Sequence, residues 1–583
     1  MSLLGIERIN RKLFANLKKH LENLRAKMAA EEAFDQALID EICYITAWCR
    51  TVLNDTIDEL DAEKKRLAKD VFADRVIADA FNEIRGDEKS FPQRVCDNMD
   101  AVSALYRAGR QGLDSFEHGM RKEWEEISKI SLNRTMNVQN FAAKKVEAAL
   151  GHADLKLVTQ TDISNYDRDG GKYADPSGEK MKALTWMGKN DVRVREVGKP
   201  RLVEDHDVIV RVTGSTVCGS DVHLLHGVIM QLEKGDILGH EFCGVVDQVG
   251  IAVKDRKVGD RVVNSFCVSC GKCRFCKEKL TTMCDKTNAS KVHKMLYGEK
   301  LGGVFGYSHF LGGYAGGQAE FVRVPFGDQN LLKLPDSVPF EKGLYLSDVL
   351  PTSYHSISYT GVKEGDTVAI WGLGPIGFMA CAWAFQKGAK RVFGIDNNWR
   401  TEFAKQKIPG LETLNYDALD TPSVPAKLHE LVPGGVDVCI EASGGEYGKS
   451  LTHKLELMSG MEQDTSDMIN ECIYSARKFG RIGLISDYIG FTNHFNVGAL
   501  MERGITLVGC GQAPAQKYWD EILQKIESGA FDPTFMVTHR IKIDDIAKGY
   551  YNQEQRVDGW LKCFVETRFS EPRAQGTPEL KKL

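Results

Sequence analysis

Apolar residues change their spacing twice along this chain, and the changes mark out its parts. Near the start, Leu13, Leu17, Leu21, Leu24 and Met28 recur every three or four residues, as do Ile39, Ile42, Ile45 and Trp48. That spacing sets each group on one face of an amphipathic helix. Residues 1–150 contain a single proline, Pro92, and predict an all-α helical domain. The stretch TDISNYDRDGGKYADPSGEK is polar and glycine-bearing, and residues 151–180 read as a linker. From residue 181, short β-rich runs such as DVIVRVTGSTVC and GVVDQVG predict an irregular β domain over 181–350. Around Thr367 the pattern turns to strand, glycine turn and helix, in TVAIWGLGPIGFMACAWAFQKGAKRVFGIDNN. That alternation predicts a parallel α/β sheet over 351–510. Residues 511–567 are expected to return to the β domain, and 568–583 to form a polar tail.

Composition narrows the function. At 583 residues the chain exceeds one ordinary core. A net charge of -5 gives no basis for a nucleic-acid partner. No run approaches the roughly 20 apolar residues that cross a bilayer, so no membrane partner is expected. The opening segment MSLLGIERINRKLFANLKKH lacks a secretory signal's apolar core. It is basic and amphipathic, as a mitochondrial presequence is, but runs on into an acidic helical stretch and reads as a mature helix. Fifteen cysteines are present, five of them between Cys267 and Cys284. Clustered thiols without a signal peptide read as metal ligands, and scattered ones as core residues, which points to the cytoplasm.

The cluster is Cys270-Gly-Lys-Cys273-Arg-Phe-Cys276, with Cys284 after a short loop. Four thiolates at this spacing converge on one zinc and fill its coordination shell, so the site is structural. A second set suits catalysis: Cys218 in Cys-Gly-Ser-Asp-Val-His, then His240 in Gly-His-Glu. An open zinc site needs a third ligand from elsewhere, and Asp348 in Leu-Ser-Asp-Val-Leu-Pro-Thr is a candidate.

Gly372-Leu-Gly374-Pro-Ile-Gly377 follows an expected strand, Thr367 to Trp371, and opens an apolar helix. These glycines permit a tight turn, close approach to a pyrophosphate, and close helix–strand packing. The next expected strand ends at Asp396, whose carboxylate suits two ribose hydroxyls and repels a 2'-phosphate, favouring NAD over NADP. Arg400 nearby softens that preference.

The Cys-Gly-Ser-Asp-x-His string, the Gly-His-Glu string and the four-cysteine lobe together resemble the zinc-containing medium-chain alcohol dehydrogenases, from about Met181 to Thr567. GGQAEFVRVPFGDQNLLKLPD and LSDVLPTSYHS resemble the glutathione-independent formaldehyde dehydrogenase branch. The resemblance implies a GroES-like β domain, a Rossmann doubly wound sheet, and a catalytic zinc on Cys218, His240 and Asp348. It further implies that Ser220 starts a proton relay ending at His223, that Glu241 lies behind the zinc, and that Asp221 orients His240.

The expected function is hydride transfer between an alcohol or aldehyde, with formaldehyde favoured, and NAD, using one catalytic and one structural zinc per chain. A broader alcohol or polyol dehydrogenase is the alternative within the class. An interaction or scaffold protein built on the dehydrogenase fold is the alternative outside it. A homo-oligomer, dimer or tetramer, is expected.

Overall fold

In the computed structural model, the structure describes residues 163–444, 464–488 and 492–583. The helical region expected over 1–150 lies outside the described residues.

Strands β1 (Lys180–Gly188) and β2 (Asp191–Gly198) form an antiparallel hairpin. β3 (Val208–Ser215) follows, and a short helix, α1 (Gly219–Leu225), leads to β4 (Phe242–Val249) and β5 (Arg261–Asn264). A two-residue ladder, β6 (Cys267–Val268) with β7 (Gly303–Val304), frames the cysteine lobe. β8 (Phe321–Val324) and β9 (Leu331–Lys333) complete the first pass. Valines in β3 alternate with Ile209 and Arg211, and Val208, Val210 and Val212 pack with Phe242, Val246, Val262 and Val322 in one buried cluster. That period of two is what a strand with one face in a core requires.

Helix α2 (Val349–Thr360) carries the chain into a second sheet. Its elements are β10 (Thr367–Trp371), α3 (Pro375–Gln386), β11 (Arg391–Asp396), α4 (Asn398–Lys407), β12 (Glu412–Asn415), α5 (Val424–Leu431) and β13 (Val436–Glu441). After them come α6 (Asp467–Ser475), β14 (Ala476–Leu484), α7 (Val497–Glu502) and β15 (Thr506–Gly509). The spatial order is β12-β11-β10-β13-β14-β15, and every pairing is parallel. Strand order reverses between β10 and β13, which leaves the crevice where doubly wound sheets take their ligands.

Helix α8 (Trp519–Glu527), β16 (Val537–Lys542), α9 (Ile546–Gln555) and β17 (Lys562–Glu566) close the chain. β16 and β17 extend the β-domain sheet, in the order β16-β17-β3-β4-β5-β9, with β8 beside β3. The last part of the chain thus adds its strands to the sheet of the first domain.

One segment departs from expectation. Residues from Ile163 onward, read as linker, are packed: Ile163, Tyr166 and Tyr173 are buried with Met181, Ile209 and Phe321. Tyr166 accepts a hydrogen bond from the Arg323 amide at 3.1 Å, and Arg168 pairs with the buried Asp236 at 2.6 Å. Three well-spaced anchors outweigh the polar composition between them. The tail is likewise fastened, through Phe569 edge-on to Phe321 at 5.1 Å and the Lys581 amide on the Arg540 carbonyl at 2.8 Å.

Candidate active site

Cys218 is the residue before α1, in extended conformation (φ -103°, ψ 161°). Its amide donates to Asp221 Oδ2 at 2.9 Å, so a reciprocal cap sets the helix and aims the thiol into the cleft. Asp221 is buried, and Gln318 Nε2 donates to the same oxygen at 3.0 Å. Tyr550 in turn donates to Gln318 Oε1 at 2.7 Å. The other Asp221 oxygen faces His240 Nδ1 at 3.4 Å, while His240 Nε2 faces Asp348 Oδ2 at 3.3 Å. The imidazole therefore turns one nitrogen to a carboxylate that orients it and the other to the ligand set, the geometry of a metal-binding histidine.

Asp348 sits where α2 begins and accepts a hydrogen bond from Thr352 one turn later. One ligand atom each from Cys218, His240, Glu241 and Asp348 lies within 4.8 Å of all the others. Burial opposes charge on His240, yet Asp221, Asp348 and Cys218 hold its imidazole well above the ordinary value. Burial likewise pushes Asp348 up, but His240 and Thr352 bring it below the usual carboxylate range. Such a pocket of buried anionic donors calls for a cation, and its sulfur, nitrogen and oxygen atoms suit zinc.

Glu241 is 1% exposed and does not line the cleft. Burial raises its carboxyl, opposed by Lys562, whose Nζ lies 2.6 Å from Glu241 Oε1 and donates to the Val217 carbonyl at 3.3 Å. Lys562 is itself 1% exposed. Lys562 is not among the site residues expected from the sequence, although a lysine inside the run LKCFVE of β17 is a signal, because a buried ammonium needs a partner.

The four lobe cysteines lie with Cys270 and Cys276 sulfurs 4.0 Å apart, Cys273 and Cys276 3.4 Å apart, and Cys273 and Cys284 3.9 Å apart. Tetrahedral zinc with ~2.3 Å bonds needs sulfurs ~3.8 Å apart, so the four residues fit one ion. Hydrogen bonding to Cys276 draws the Cys284 thiol down to about 5, and the same contact pushes Cys276 up. Thr281 and Thr282 tie the lobe to Gln516 and to the Gln512 carbonyl. Cys267 is buried outside the set, hydrogen-bonded to Ser265.

At the glycine turn, Gly372 has φ +85°, and a Cβ on Gly377 would lie 1.8 Å from the Gly372 carbonyl oxygen. Gly374 opens onto free space, its nearest neighbour being Arg400 Nη1 at 3.8 Å from a notional Cβ. Asp396 ends β11 and accepts the Leu373 amide at 2.7 Å, with Arg400 Nη1 3.8 Å away. One cleft of about 1860 Å³ runs from Ser220, His223, His240 and Asp348 to Gly372, Gly374 and Asp396. The turn leaves room for a pyrophosphate, so these residues fit a nicotinamide dinucleotide.

The family model for the alcohol dehydrogenase GroES-like domain matches residues 204–336, which include Cys218, His240 and the lobe cysteines. A zinc-type alcohol dehydrogenase-like protein of Schizosaccharomyces pombe is 44% identical over 394 residues, covering 67% of this chain and 92% of the relative. A glutathione-independent formaldehyde dehydrogenase of Pseudomonas aeruginosa is 33% identical over 400 residues, covering 63% and 94%. Among solved structures, an alcohol dehydrogenase of Thermus sp. ATN1 superposes with a TM-score of 0.57 at 30% identity, covering 67% of this chain and 100% of that one. These likenesses define an oxidoreductase that works with zinc and a nicotinamide cofactor. The chain belongs to the zinc-type alcohol dehydrogenase family.

Proposed function

We propose that this chain transfers hydride between a short alcohol or aldehyde, formaldehyde foremost, and NAD. The observation that carries the reading is the single cleft joining the Cys218, His240 and Asp348 donor set to the glycine turn. Zinc held by those three residues supplies Lewis-acid polarisation of the substrate oxygen, and NAD on Gly372, Gly374, Gly377 and Asp396 supplies the hydride acceptor.

The chain's own residues do the rest. The Ser220 hydroxyl, at the start of α1, takes the proton of the substrate hydroxyl, and His223 one turn later carries it outward. Asp221 fixes the His240 ring, and Lys562 neutralises Glu241 behind the ligand set, so that buried charge stays balanced. Asp396 recognises the ribose hydroxyls and so favours NAD over its phosphorylated form. Phe266, Val304, Tyr307 and Leu311 line the cleft with largely apolar surface and exclude water from the reacting centre.

The four-cysteine lobe holds a second, structural zinc. We place the protein in the cytoplasm, which the absence of disulfides among the described cysteines supports. It assembles as a homo-oligomer. Support for this is β15, an edge strand, together with Phe479, Val497 and Met501, which are 78%, 61% and 67% exposed in the preceding strand and helix of the same domain.

Steady-state assays of the zinc-loaded chain with formaldehyde, ethanol and sorbitol test the substrate. NADH formation fastest with formaldehyde is expected. No turnover of formaldehyde, with turnover of ethanol or sorbitol, overturns the favoured substrate and leaves a broader alcohol or polyol dehydrogenase.

A further inference from the structure

The four-cysteine lobe has little core of its own. Its buried cluster consists of Cys270, Cys276 and Cys284, with Cys273 and Phe326 packed against it. So small an apolar cluster cannot hold a fold, and the lobe keeps its shape through the metal its thiolates take. The turn Thr281–Met283 delivers the last of these cysteines. The Cys284 amide donates to the Thr281 carbonyl at 3.2 Å, and the Gly302 amide to the Thr282 carbonyl at 2.7 Å, so the backbone of this turn belongs to the lobe.

The two threonine hydroxyls reach out of it. Thr282, 2% exposed, donates to the Gln512 carbonyl at 2.8 Å. Thr281, 1% exposed, donates to Gln516 Oε1 at 2.5 Å. Gln516 Nε2 turns back to Asn330 Oδ1 at 3.4 Å and to the hydroxyl of Ser269, the residue before Cys270, at 3.3 Å.

Gly511, Gln512 and Ala513 follow β15 off the carboxyl end of the parallel sheet and line the cleft. That end of a doubly wound sheet is where its ligand lies. Among the described residues, the amides of these three donate to no backbone carbonyl, so the stretch has no ladder of its own. Its position is set by contacts from outside, and Thr282 supplies one at its middle residue. A valine in place of Thr282 keeps the shape of the side chain but offers no donor, and leaves the Gln512 carbonyl without that partner.

We propose that Thr282 is a positioning residue for the dinucleotide: it holds the 511–513 wall in the form that receives the cofactor, and Thr281 supports the same wall through Gln516. The four-cysteine lobe thereby sets cofactor affinity as well as stability. The inference rests on the dehydrogenase reading given above.

The test is calorimetric titration of the zinc-loaded full chain with NAD, alongside metal analysis and steady-state rates with a short alcohol. In Thr282→Val the Kd for NAD should rise about five-fold, the loss expected for one hydrogen bond. The KM for NAD should rise with it, while kcat at saturating NAD stays near the wild-type value and zinc content is unchanged. Thr282→Ser, which restores the donor, should bring the Kd back to within about two-fold of the wild type. Thr281→Val should show a smaller rise, and it carries the test if Thr282→Val does not fold. Wild-type NAD affinity in Thr282→Val, or in Thr281→Val standing in for it, overturns the proposal. So does a weakened affinity that serine leaves uncorrected or that comes with loss of zinc, which marks a role in lobe folding alone. A wild type that binds no NAD strikes instead at the dehydrogenase reading.

Discussion

Lys562 and Glu241 form an ion pair from which water is excluded, each side chain being 1% exposed and their charged atoms 2.6 Å apart. Removing one partner of such a pair leaves a buried charge uncompensated and costs about 3–5 kcal/mol. Lys562→Met should therefore lower the unfolding free energy of the zinc-loaded chain by that amount, measured in urea. Adding Glu241→Gln should recover most of the loss. Equal stabilities of the single variant and the wild type would show that the pair carries no charge. At this scale the sequence was most legible where chemistry forces spacing: Cys218, His240 and the lobe cysteines come together as their strings predict. Asp348 joins them from more than a hundred residues away, a candidate in the sequence whose place beside them no local spacing fixes. Lys562 stands out in the apolar run of β17, but its partner is more than three hundred residues distant, and nothing local names it.

Elements were legible where periodicity is regular. The strand, turn and helix around Gly372 fall where the pattern puts them, since close contact between Gly377 and the Gly372 carbonyl leaves the backbone few alternatives. The segment from Ile163 to Glu179 was misread because three anchors among polar residues have no period. Tyr166 is 1% exposed and packs with Ile163, Ile209 and Phe321. Tyr166→Ala should cost about 3 kcal/mol in urea unfolding, as large aromatic truncations in a core do. A change under ~0.5 kcal/mol, ordinary for a surface site, would return the segment to the status of a linker.

For the molecule as a whole, two chain segments far apart in sequence build one sheet, and the cleft lies where that sheet meets the parallel one. β16 and β17 extend the sheet of the first domain. The pairing of β17 with β3 is not readable in the sequence, because register across such a distance leaves no local trace. On the function proposed above, this cleft holds a catalytic zinc apart from the structural one. That assignment is tested most directly by zinc content per chain in the wild type and in His240→Ala, with NADH formation from a short alcohol followed in the same samples. The wild type should carry about two zinc ions and the variant about one, with turnover lost in the variant. A wild type holding one zinc, or a His240→Ala chain that keeps two and turns over as the wild type does, would rule out a catalytic zinc in this cleft.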